Sequence, residues 1–153
     1  NTGRPLKEGK WFSKFTSNYL DIDNDPLYPF GYGLSYTTFK YGKPTLSSNT
    51  MTNNETISVS VDITNTGNYD ADEIAQMYIR DLAASVSRPV KELKGFERIS
   101  IKKGETKTVT FTITPEDLKF YNQELEYKNE PGEFEVMVGP NSKDVQTLTF
   151  TLK

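Results

Sequence analysis

The chain of 153 residues contains neither cysteine nor histidine. Without thiols there is no disulfide framework, no cysteine nucleophile and no thiolate metal site. Without imidazole, serine–histidine–aspartate and cysteine–histidine systems are excluded, together with Cys/His zinc centres. An excess of positive charge is missing too: 18 Lys and Arg stand against 21 Asp and Glu, a net charge of −3. That balance leaves no electrostatic footprint for nucleic acid or an anionic membrane. No apolar run approaches the roughly 20 residues of a membrane-spanning helix, and nothing reads as a signal peptide. No motif asks for a metal or a cofactor. A chain of this length buries roughly 68–70% of its unfolded surface and needs no staple to fold as one domain.

What is present is concentrated in one segment. Residues 26–36 read Pro-Leu-Tyr-Pro-Phe-Gly-Tyr-Gly-Leu-Ser-Tyr. Pro26 and Pro29 lack amide donors and push the residues before them toward extended backbone, so no helix runs through. Gly31 and Gly33 allow backbone angles that other residues avoid. Tyr28, Phe30, Tyr32 and Tyr36 supply apolar area that needs covering, so the segment reads as a strap lying on a surface. Residues 1–41 hold ten of the nineteen aromatics, including Trp11, Phe12, Phe15 and Tyr19, without sustained periodicity. Burying such rings is worth roughly 1.5–3 kcal/mol each. The arm is therefore expected to dock, on the rest of this chain or on a neighbouring domain.

From Phe39 onward apolar residues alternate with polar ones, the mark of strands with one buried face. Ile57, Val59, Val61 and Ile63 interleave with Ser58, Ser60, Asp62 and Thr64, and Val109, Phe111 and Ile113, then Leu148, Phe150 and Leu152, interleave with Thr. Phe134, Val136 and Val138 repeat the pattern, while Ala75–Ile79 is apolar with less alternation and reads as central, with both faces partly covered. Turn signals at 65–68, 103–104 and 130–132 punctuate the runs. Thr114-Pro115-Glu116-Asp117 predicts one short helical turn, with a capping residue, proline at the first position and acids in the first turn. About seven strands result: 39–46, 56–65, 72–81, 90–98, 105–114, 132–139 and 146–152. Short strands between turns predict an all-β, immunoglobulin-like antiparallel sandwich. The missing cysteines and core tryptophan favour the fibronectin type III version.

Three constellations bear on chemistry. Asp21-Ile22-Asp23-Asn24-Asp25 begins like a calcium loop, but the required sixth and twelfth positions hold Pro26 and Tyr32, so a solvated acidic turn is the better reading. Glycosidase chemistry needs two facing carboxylates, and nothing singles out a pair among the 21 acids. Phe111, Phe134 and Phe150 occupy the inward register, which makes them core rather than sugar platforms. Pro89 places the start of Arg88–Phe96 at an edge or a bulge, with mixed charges decorating it against self-association. Asn54-Glu55-Thr56 matches a glycosylation sequon, a match commonly due to chance.

Several of these stretches resemble, in order, the C-terminal part of family 3 glycoside hydrolases, the group of bacterial periplasmic β-glucosidases. They are Asn1–Pro5, Leu27–Tyr36, Asn65-Thr66-Gly67, Ser87–Phe96 and Glu130–Phe134. The resemblance implies a connecting arm over 1–38 and a fibronectin type III-like sandwich over 39–153. In that family an upstream barrel supplies an aspartate nucleophile in a Ser-Asp-Trp context, and an α/β domain supplies a glutamate acid/base. This chain has no Ser-Asp pair, and Trp11 follows Lys10, so no catalytic residue carries over. The resemblance implies a non-catalytic structural domain whose partners are the barrel and α/β domain of a parent chain, in the periplasm or outside the cell. The opening at Asn1 fits a mature product or an excised piece. Tyr28, Phe30, Tyr32, Leu34 and Tyr36 become the interdomain docking candidates. The alternative is a carbohydrate-binding module in which these rings contact glycan; a free-standing adhesion domain is a third reading.

Overall fold

A computed structural model describes residues 25–153. The Asn1–Pro5 segment, the aromatics Trp11, Phe12, Phe15 and Tyr19, and Asp21–Asn24 of the acidic turn lie outside the described residues. The described chain is all-β, in two facing sheets and one small hairpin.

The first sheet is built on β4 (Ile57–Asn65). Its one edge pairs with β7 (Thr106–Ile113), and its other edge is shared by β1 (Phe39–Tyr41) and β2 (Thr45–Leu46). The second sheet runs β3 (Thr50–Met51), β11 (Gln146–Leu152), β10 (Gly132–Gly139), β5 (Ala71–Asp81), β6 (Glu92–Ile101). All its pairings are antiparallel except β3 with β11. The third unit is a hairpin of β8 (Phe120–Tyr121) and β9 (Tyr127–Lys128).

Alternation puts Ile57, Val59, Val61 and Ile63 of β4 against Ala75, Met77 and Ile79 of β5, with Phe134, Val136, Phe150 and Leu152 filling the layer between the sheets. The Phe134 and Phe150 rings stack at 5.5 Å, in register across β10 and β11, a pairing worth about 0.5–1.5 kcal/mol beyond its area. Phe111 faces the same core, as its register predicts. The 3-10 turn Pro115–Leu118 forms where expected; the Thr114 amide and hydroxyl both donate to Asp117, at 2.8 and 2.7 Å.

Two expectations need revision. The strand expected over 39–46 breaks into β1 and β2, because Pro44 cannot donate to the ladder and the Gly42 carbonyl is taken by Gln146 Nε2 at 2.7 Å. The strand expected over 90–98 starts at Glu92 and runs to Ile101; Pro89 delays its start, and a bulge interrupts its pairing with β5 at Met77/Tyr78. The two-residue β3, β8 and β9 are too short to show periodicity. Central β5 is covered on both faces, as its apolar run predicts: Gln76 and Tyr78, which alternate with its core residues, are also buried.

Candidate interdomain docking surface

What covers the outer face of β5 is the strap. Tyr32 N–H donates to the Pro29 carbonyl at 3.1 Å and Gly31 takes φ +79°, so residues 29–32 form a tight turn of the kind that places glycine third. Gly31 is needed for a second reason: a Cβ there would fall 1.9 Å from Gln76 Oε1. Gln76 Nε2 donates to the Gly31 carbonyl at 2.9 Å and to the Pro140 carbonyl at 2.6 Å, while Tyr78 OH donates to Gln76 Oε1. A buried primary amide is thereby satisfied by bridging the strap to the β10–β11 turn. Burial raises the Tyr78 pKa, so the phenol stays a donor.

Ser142 is the second anchor. Its amide donates to the Phe30 carbonyl at 2.9 Å, and its own carbonyl accepts from Lys91 Nζ at 2.5 Å. Asn141 shapes this turn, its Oδ1 accepting the amides of Lys143 and Asp144, both at 2.9 Å. The two stretches singled out in the sequence, 26–36 and 88–96, thus meet at one residue that neither contains. Burial lowers the Lys91 pKa. Nearby, Arg88 bridges to Glu92 at 2.8 Å, Lys94 to the same Glu92 at 2.9 Å, and the Arg88 guanidinium lies 4.6 Å from the Phe120 ring centre. Arg88, Glu92 and Lys94 are therefore paired with one another. Asp25, the described end of the acidic turn, pairs with Lys143 at 2.6 Å, which lowers its pKa.

The strap ends on Asn65. This fully buried side chain accepts from Thr37 Oγ1 at 2.7 Å and from the Gly67 amide at 3.1 Å, and donates to the carbonyls of Tyr69 and Ile101 at 2.8 and 2.9 Å. A Cβ on Gly67 would lie 2.1 Å from Thr37 Oγ1. In the sequence Asn65-Thr66-Gly67 reads as a turn and as one of the family stretches. That the Asn also closes three segments onto one another has no local signature.

The strap is held by backbone, and its side chains are left outside. Tyr28 and Phe30 are each 66% exposed, Tyr32 44%, Leu34 88% and Tyr36 96%. Phe30 touches Tyr78 edge-on at 6.5 Å, and Tyr28 leans on Tyr32 at 5.2 Å with rings tilted by 35°. The expectation that these aromatics need a cover is unmet within the described chain, because the fixing contacts are polar and use the main chain. Scattered exposed apolar residues are ordinary, but six within residues 27–36, counting Leu27, form a patch of the kind that marks an interaction surface. Among the described residues no group of three or more carboxylates is placed to hold a metal ion.

Comparison with known proteins places this geometry. Residues 73–142 match the model of the fibronectin type III-like domain. A periplasmic β-glucosidase of Salmonella typhimurium is 53% identical over 99% of this chain, which spans 20% of that protein. A β-xylosidase of Formosa agariphila is 52% identical over 88% of the chain and 19% of its own length. The crystal structure of a Listeria innocua β-glucosidase in complex with gluconolactone superposes with a TM-score of 0.89 at 43% identity, over 99% of this chain and 21% of that one. The chain carries the fibronectin type III-like domain of the family 3 glycoside hydrolases. It spans about a fifth of the length of the relatives it matches. The similarity extends beyond residues 73–142 into the strap, so the strap belongs to what these glycosidases share with this domain.

Proposed function

We propose that the chain is a non-catalytic structural module of a retaining, β-glucosidase-like glycoside hydrolase, and that the strap is its junction with the catalytic domains. The observation that carries this reading is the split role of the strap: its backbone is fixed to the sandwich while its rings face outward. The barrel and α/β domain of the parent are the partners, and the parent removes terminal β-glucosyl or related residues from carbohydrates. The descriptions of the relatives as β-glucosidases and β-xylosidases support that substrate class. A periplasmic or extracellular location is supported by the Salmonella relative. The division into an arm over 1–38 and a sandwich over 39–153 is part of the same proposal.

The test is association between this chain and the remainder of the parent enzyme, produced separately and titrated by calorimetry. Replacing Tyr28, Leu34 and Tyr36 together by Ser weakens association at least tenfold, equivalent to about 1.4 kcal/mol, and leaves the thermal transition of the chain itself in place. Absence of association, or hydrolysis of an aryl β-glucoside by the chain alone, refutes the reading. The tilted Tyr28 and Tyr32 rings offer no common plane to a pyranose, which disfavours a glycan platform; retardation of the chain in gels containing soluble glucan would favour it.

A further inference from the structure

The β8–β9 hairpin carries a feature that the strap does not account for. Leu125, at its tip, has φ +62° and is the one non-glycine residue with positive φ among those described. It is also 80% exposed. A branched apolar residue is strained in the left-handed region, where Gly or Asn is comfortable. Exposure returns nothing for that strain within the chain. Strain retained at an exposed position points to a side chain that is used.

The hairpin is also braced by hydrogen bonds. Asn122 is buried, and its Oδ1 accepts the amides of Glu124 and Glu126 at 3.0 and 2.9 Å, while its own amide donates to the Glu126 carbonyl at 3.1 Å. At the root, buried Phe120 lies under the Arg88 guanidinium, and Gln123 Nε2 donates to the Ser85 carbonyl at 3.2 Å. Tyr121 and Tyr127 face each other across the two strands with ring centres 5.0 Å apart, and both are exposed. Leu125 therefore stands on a fixed base flanked by two rings. Ser85 is tied to Glu130 by bonds of 2.9 and 2.7 Å, which sets the hairpin beside the start of β10, whereas the strap is anchored at Ser142 beyond its end. The eight residues of β10 put about 25 Å between the two.

We propose that Leu125, with Tyr121 and Tyr127, is a second docking point, inserted into an apolar recess on the remaining part of the parent enzyme. The inference rests on the proposed function. The occupant is argued from the chain lying outside this one: relatives extend over about five times its length. A leucine tip suits an apolar protein recess better than a sugar, whose hydroxyls it could not satisfy. Two contacts far apart fix an orientation, as one strap alone would not.

Leu125→Asn separates strain from contact. In the isolated chain Asn relieves the left-handed backbone, and the melting temperature rises by about 2–4 °C. Association with the remainder of the parent weakens at least tenfold, and Leu125→Met, which keeps the apolar side chain, restores it. A fall in melting temperature with Asn would mean that Leu125 packs within its own chain and would overturn the inference. So would unchanged association while the strap variant still weakens it, an outcome that leaves the proposed function standing. If the unaltered chain fails to associate at all, the proposed function itself fails. A loss of self-association in sedimentation would assign the tip to a second copy, and loss of retardation by glucan would assign it to sugar; either overturns the inference.

Discussion

At the scale of single residues, the main work is done by small or polar side chains that sequence patterns treat as punctuation. Gly31 combines a left-handed backbone with a contact that leaves no room for a Cβ. Gly31→Ala is expected to release the strap at a cost of about 2 kcal/mol, from backbone strain and the weakened bonds of Gln76 and Ser142. Faster hydrogen exchange at the Ser142 amide would report the release. Gly33→Ala is the control, since a Cβ there meets nothing within 4 Å. Protection of Ser142 unchanged in Gly31→Ala would show that Gln76 moves aside freely.

A second residue-scale device ties the sheets electrostatically. Tyr41 OH, on β1, donates to Glu73 Oε1, on β5, at 2.8 Å. Burial raises the Glu73 pKa more than the bond from Tyr41 lowers it, and burial with the adjacent carboxylate raises Tyr41. A carboxyl raised in the folded state holds its proton more tightly there than in the unfolded chain. Its contribution to stability is present below the unfolded glutamate pKa, about 4.3, and is lost as pH rises through the folded value. Glu73→Gln keeps an acceptor for Tyr41 and removes the titration. The stability of Glu73→Gln relative to the unaltered chain should therefore increase from pH 4 to pH 7 in urea titrations. A difference independent of pH would refute the assignment.

At the scale of elements, β5 decides the arrangement. It lies between β10 and β6, faces the core with Ala75, Met77 and Ile79, and faces the strap with Gln76 and Tyr78. The strap covers this outer face without entering the core, whose buried cluster is drawn from Met51 to Leu152. Removing residues 1–36 should leave a sandwich that unfolds cooperatively at a lower temperature, with calorimetric and van't Hoff enthalpies in agreement. A broad transition without cooperativity would show that the strap completes the core. The edge strand β6 carries a bulge, Pro89 before it and the ion pairs around Glu92, features that disfavour further pairing at a sheet edge.

At the scale of the whole molecule, the sandwich separates two exposed apolar features by the length of a strand. The chain has no histidine or cysteine for a Ser-His or Cys-His nucleophile system. The strap patch and the hairpin tip both lack a cover in the described chain, and relatives are about five times as long. On the proposed reading the domain is a rigid spacer with two contact points, and its effect on the parent enzyme is one of placement and stability.

Alternation of apolar and polar residues was sufficient by itself to determine the sandwich, its principal strands and most of its core, because a half-buried strand must repeat every second residue. Strands β10 and β11 coincide with their expected bounds. The 3-10 turn was legible for a similar reason, since its capping chemistry is local. Ordered family motifs made the kinship legible before any coordinate. Only the tertiary structure decided what the motifs do. Gln76 under Gly31, Ser142 between Phe30 and Lys91, and Asn65 closing on Thr37 are polar contacts between residues far apart in the chain. They leave no periodicity, because each is a single bond rather than a repeated face. The strain at Leu125 was hidden likewise, since a leucine in a polar turn declares its backbone angle only once the turn is built.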